Sequence, residues 1–108
     1  MRIAVADTNG NVADFKDALT FLLFDIEKNN VTLGQSVQVR KDWYVSVPEF
    51  LAGEETDAVI CKSIGRGARA TFRDAGIEVY GKVSGRSDEA VRAFMSGTLK
   101  FDPLAGMI

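Results

Sequence analysis

The run Cys61-Lys62-Ser63-Ile64-Gly65-Arg66-Gly67-Ala68 is where this sequence offers the most chemistry. Two glycines let a backbone come close to a ligand while turning into a helix. The first turn of a helix presents N–H groups without intrahelical partners at the positive end of its dipole, and both features favour an anion. Arg66, Arg69 and Arg73 recur at i, i+3 and i+7, a basic stripe leading away from that turn. Lys62, Lys82 and Arg86 add charge from flanking segments, and Ser63 and Ser84 add hydroxyls. The pattern is neither Gly-x-Gly-x-x-Gly nor a phosphate loop ending in Lys-Ser/Thr, so it does not specify a nucleotide. A strand-to-helix turn with two glycines is also plain architecture, and the residues alone leave both readings open.

The remaining candidates are weaker. Cys61 closes an apolar run and reads either as a small core residue or as a soft sulfur ligand facing the loops. Trp43 and Tyr44 suit packing between elements better than a stacking platform. Asp7, Asp14 and Asp17 could gather round a metal ion, although acidic residues among turn formers ordinarily hold turns and caps. The chain contains no histidine, which excludes His-based triads, His general bases and mixed Cys/His zinc sites.

The elements that must position these residues follow from periodicity. Residues 2–6 (RIAVA) predict a buried strand ending at Asp7, and the turn formers at 7–11 predict a loop. Residues 19–27 (LTFLLFDIE) are apolar on both faces and predict a central strand. A hairpin at Lys28-Asn29-Asn30 leads into a half-buried strand, with Val31, Leu33, Val37 and Val39 on one face. Ser46-Val47-Pro48-Glu49 matches a capping box and predicts a helix closed by Gly53. Residues 57–61 (DAVIC) predict a strand and 67–75 a helix with Ala68, Phe72 and Ala75 inward. Residues 77–80 (IEVY) predict another strand. Ser87-Asp88-Glu89 should cap a last helix with Ala90, Val91, Phe94 and Met95 inward and Gly97 as its stop.

This order predicts an α/β domain spanning 1–108, with a mixed five-stranded sheet flanked by helices. Right-handed crossovers make the later strands parallel, which gathers the loops 7–11, 62–67 and 81–86 at one edge, where ligands of such sheets bind. Composition sets the remaining limits. With 13 basic and 15 acidic residues the net charge is −2, against the basic balance usual for nucleic-acid binding. The longest apolar runs, such as Phe21-Leu22-Leu23-Phe24, fall far short of the ~20 residues that span a bilayer. Nothing near Met1 has the form of a secretory signal, and a lone cysteine suits a reducing compartment, so a cytoplasmic location is expected.

RIAVA (2–6), the Phe15…Ala18…Phe21…Asp25 spacing, DAVICKSIGRGA (57–68), DAGIEVYGKVSG (74–85) and DEAVRAFMSGTL (88–99) together resemble the dinitrogenase iron–molybdenum cofactor biosynthesis family. The likeness runs along nearly the whole chain. It implies a ribonuclease H-like three-layer fold and a non-enzymatic binder or carrier of molybdenum- or iron-containing sulfide clusters that works with cofactor-assembly or recipient proteins. Mapped onto this chain, the implied cluster-binding set is Cys61, Ser63, Gly65, Arg66, Gly67, Ala68, Arg69, Lys82 and Ser84. Where members often carry His-Phe-Gly-Arg-Ala, this chain has Asp14-Phe15-Lys16-Asp17-Ala18, and Lys62-Ser63 replaces a frequent Gly-Gly. Two other functions fit such a fold. A nuclease needs carboxylates converging on two metal ions, and Asp7 alone stands at the relevant strand ends. A protein–protein adaptor that has lost cluster binding would use the same edge, with Trp43-Tyr44 as an anchor.

Overall fold

In a computed structural model of the chain, residues 1–38 and 47–106 are described. The expected Ser46 cap, Trp43, Tyr44 and Val39 lie outside those residues. The strands are β1 (Arg2–Thr8), β2 (Asn11–Val12), β3 (Thr20–Glu27), β4 (Asn30–Gln38), β5 (Ala58–Ile60) and β6 (Glu78–Tyr80). The helices are α1 (Val47–Gly53), α2 (Arg66–Asp74) and α3 (Ser87–Ser96). The sheet runs β4-β3-β1-β5-β6, with β2 paired to β1 alone, so among the described residues it has six strands and not the five expected. The additional strand is two residues long. It forms because Asn9-Gly10, both at positive φ (54° and 87°), closes a two-residue hairpin loop between Thr8 and Asn11.

β1 is antiparallel to β3 and parallel to β5, and β5 is parallel to β6. Alternation along β1 splits the core into two layers. Ala4 and Ala6 face Phe21, Leu23, Val47, Leu51 and Phe72, which places α1 and α2 on one side of the sheet. Ile3 and Val5 face Phe24, Ile60, Ala90 and Val91, which places α3 on the other. A sheet buried on both faces explains why β1 and β5 read as unbroken apolar runs.

β4 departs from its expected pattern. A bulge opposite Leu23/Phe24 inserts Gly34, so Val31 packs with the α3 layer and Val37 with the α2 layer, although they share one parity. Leu33 is exposed. A Cβ on Gly34 would lie 2.6 Å from Asp25 Oδ2, so any larger residue there would have to displace the Asp25 carboxylate. That carboxylate is held by Arg2, whose Nε donates to Asp25 Oδ1 (2.8 Å) and whose Nη1 donates to the Glu54 carbonyl (2.7 Å). The hydrogen bond from Arg2 keeps the Asp25 carboxyl below the usual carboxylate range. Asp25, Glu54 and Asp57 thus gather at the amino end of β1, away from the basic loops.

Two helix expectations are corrected. Ala75 is exposed as the C-cap of α2, leaving Phe72 buried and Ala68 half-buried on the inner face. Ser87 is the first residue of α3 and does not act as its cap, because its hydroxyl is used elsewhere. Phe94 and Met95 are half-buried, and Gly97 ends α3 in the left-handed conformation (φ 75°).

Candidate functional site: a basic edge of three joined loops

The parallel run of β1, β5 and β6 brings the three loops to one edge, as topology requires, and main-chain hydrogen bonds join them. The Lys62 N–H donates to the Ala13 carbonyl (2.9 Å), and the Phe15 N–H donates to the Ser63 carbonyl (2.8 Å). The Lys82 N–H donates to the Lys62 carbonyl (2.6 Å), and the Val12 N–H donates to the Gly85 carbonyl (2.8 Å). Asp7 is buried beneath them. Its Oδ1 accepts from the Ser87 hydroxyl and its Oδ2 from the Gly10 N–H (3.2 Å), so it ties the first loop to the start of α3. Asp14 accepts from the Ser63 N–H through Oδ1 (3.1 Å). These two carboxylates hold turns, as acidic loop residues ordinarily do. Among the described residues no three His, Cys, Asp or Glu side chains are grouped to hold a metal ion.

On this frame Lys62, Ser63, Gly65, Arg66, Gly67, Lys82 and Ser84 are all exposed. Gly65 is the N-cap of α2 in extended conformation, with no side-chain cap, so the leading N–H groups of the helix remain open. Arg66, Gly67, Arg69 and Arg73 line a recess of about 340 Å³ whose far wall includes Gly106. Lys82, Ser84 and Arg86 line a second recess of about 320 Å³, together with Lys100. Of the expected residues, Arg66, Gly67 and Arg69 line the first hollow and Lys82 and Ser84 the second, whereas Ser63, Gly65 and Ala68 line neither of these. Asp14 lies against the 62–67 loop and offsets part of its charge.

Two expected ligands have other roles. Cys61 is 0% exposed within the layer formed with Phe72 and Leu51, and burial pushes its thiol up to about 12. It is a core residue and supplies no thiolate to the loops. Arg69 does not project freely. Its Nη1 donates to the Ala105 carbonyl (2.5 Å) and its Nη2 to the Pro103 carbonyl (2.9 Å). The guanidinium pins a C-terminal segment, 101–106, that sequence reasoning did not anticipate. This segment pairs with the loop edge through the Asp102 N–H to the Gly81 carbonyl (2.9 Å), and a Cβ on Gly81 would collide with Ala105. Asp102-Pro103, a turn-forming pair closed by the Leu104 N–H on Asp102 Oδ1 (2.8 Å), was the available signal.

The raised thiol carries a prediction. Iodoacetamide at pH 8 should alkylate Cys61 about a thousandfold more slowly in the native protein than in urea, since the thiol rises from 9.0 to about 12. Equal rates would show an open site. Because the folded state favours the neutral thiol, this contribution to stability is complete below pH 9.0 and is lost as pH rises toward about 12.

The fold and edge define a class: a small α/β domain whose parallel strands present a basic, glycine-containing loop cluster. The family profile described as dinitrogenase iron–molybdenum cofactor matches residues 1–97, and the chain belongs to that family, which is involved in biosynthesis of this cofactor. Among solved structures, "Crystal structure of PH0822" is similar at 31% identity and a TM-score of 0.86, covering 94% of this chain and 95% of that one. The apo form of the orange protein from Desulfovibrio gigas shares the fold at 19% identity and a TM-score of 0.74, over 94% and 92% of the two chains. A putative NifB protein from Thermotoga is similar at 25% identity and a TM-score of 0.67, over 93% and 91%. No curated protein matches the chain. Among the described residues no helix is long and apolar enough to cross a membrane.

Proposed function

We propose that this chain is a single, non-enzymatic cytoplasmic domain that binds or carries an anionic metal–sulfur cluster, of the iron–molybdenum type or a thiomolybdate. In this reading the sheet is a ribonuclease H-like layer, and the cargo passes between cofactor-assembly and recipient proteins, without nucleic acid or membrane. One observation carries the proposal. In a protein of net charge −2, the open N-terminus of α2, Arg66, Lys62 and Lys82 are brought to one exposed edge by loops that bond directly to each other.

The residues present suit one mode of holding the cargo. Main-chain N–H groups and cationic side chains donate to sulfide or oxide atoms on the outside of an anion, and charge-assisted bonds of this kind contribute about 1.5–3 kcal/mol each. They do not suit ligation by imidazole or thiolate, because the chain has no histidine and its one cysteine lies in the core. Arg66 and the N–H groups at 66–68 form the contact surface, Lys62, Lys82 and Arg86 supply field, and Arg69 acts through the C-terminal segment that it holds.

Anaerobic titration with tetrathiomolybdate, with and without copper, followed by desalting, tests this reading. The expected result is saturable visible absorbance that stays with the protein at low salt and declines as salt rises, since exposed charges are screened within ~10 Å at 0.1 M. Complete loss of colour at low salt would contradict it.

A further inference from the structure

A cleft of about 540 Å³ lies beside β6, the last strand of the sheet, and adjoins the first recess of the loop edge, with which it shares Arg69 and Arg73; its size is within the range typical of small-molecule sites. One side is aromatic and apolar. Tyr80 and Phe101 meet edge to face with centroids 4.6 Å apart, Tyr80 on the α3 side of β6 and Ile77 and Val79 on the α2 side, and Phe101 is 40% exposed at the rim. The other side is basic. Arg73 is exposed, and its side chain has no hydrogen-bond or ion-pair partner among the described residues; Arg69 adds a second charge although two of its nitrogens are engaged. Glu78 also lines the cleft and accepts from the Tyr80 hydroxyl (2.7 Å). Two arginines against one glutamate leave a net charge of 2 − 1 = +1, which a monoanion matches.

The main chain contributes as well. The Glu78 N–H donates to the Asp57 carbonyl and the Cys61 N–H to the Tyr80 carbonyl, so Glu78 and Tyr80 turn their peptide groups toward β5. In a parallel ladder the residue between them faces its own N–H and C=O away from that neighbour, toward the open edge where the cleft lies. Val79 therefore offers a donor beside Arg73. We propose that this cleft is a second binding site, for a small aromatic monocarboxylate whose ring lies against Tyr80 and Phe101 and whose carboxylate is held by Arg73 and the Val79 N–H.

The proposal does not rest on the cluster-binding reading and is tested separately, although Arg69 and Arg73 also line the first recess. Isotope-labelled protein is titrated with 1-naphthoate and with its neutral counterpart 1-naphthalenemethanol, and amide shifts are followed by NMR. The expected result is saturable movement centred on Val79, Tyr80 and Phe101, with the alcohol at least about tenfold weaker. Arg73→Glu removes the advantage of the carboxylate, and Phe101→Ala weakens both ligands. Absence of saturation at millimolar ligand, equal affinity for the alcohol, or naphthoate shifts centred on residues 65–68 would each overturn the proposal.

Discussion

Phe72→Ala is expected to cost about 3–5 kcal/mol, the range for deleting a buried aromatic ring from a packed core. Phe72 is fully buried and is the sole buried residue of α2 among those described. Its ring meets Phe15 edge to face at 5.5 Å, and Phe15 meets Phe21 at 6.0 Å, so a chain of three rings ties the helix to the sheet. The other residues of α2 are charged or small and contribute little apolar burial. A domain of this size has only about 5–15 kcal/mol of net stability, so the loss removes a large part of it. Urea denaturation measures the change, and it should appear as a lower midpoint with an unchanged slope. A loss below about 1 kcal/mol would mean that α2 is held chiefly by other contacts.

Asp7→Ala should be the most damaging change in the loops, at about 3 kcal/mol. It leaves the buried Ser87 hydroxyl and the partly buried Gly10 N–H without their acceptor. An unpaired buried polar group costs more than the bond itself contributes, which distinguishes this site from an exposed carboxylate. Asp7→Asn keeps an acceptor oxygen and should recover part of the loss. If Asp7→Ala were as stable as the parent, the buried carboxylate would have no part in joining the loops.

Much of the architecture is visible in residue patterns because burial on both faces leaves apolar runs that need no fine reading. The runs 2–6 and 57–61 became the two central parallel strands, and the turn residues between them marked the loop edge. The errors arise where a single residue changes the rule. Gly34 forms a bulge, and every side chain on one side of it moves to the opposite face, so parity along β4 misleads. Asn9-Gly10 is a strong hairpin signal, but the strand after it is only two residues long, too short to show a period. Ser87 has the composition of a helix cap, and only the fold shows that Asp7, 80 residues earlier, accepts its hydroxyl.

For the site, topology was the informative part. Lys62, Arg66 and Lys82 share an edge because three parallel strands end there, which the order of elements already implies. The roles of Cys61 and Arg69 depend on packing. An apolar run ending in cysteine does not show which way the sulfur faces, and an arginine stripe does not show that carbonyls at positions 103 and 105 occupy one of its members. The C-terminal segment was invisible to periodicity because main-chain hydrogen bonds, Ala105 and the single ring of Phe101, rather than a periodic apolar face, attach it to the domain.

The central claim is that local charge at the α2 terminus, and not the protein's overall charge, holds an anionic cluster. Tetrathiomolybdate retention by Arg66→Glu and by Arg92→Glu tests it most directly, because both variants change net charge by −2 while Arg92 lies exposed in the middle of α3. The account predicts that colour is lost from Arg66→Glu and kept by Arg92→Glu. Equal retention by the two variants, or equal loss, would contradict it.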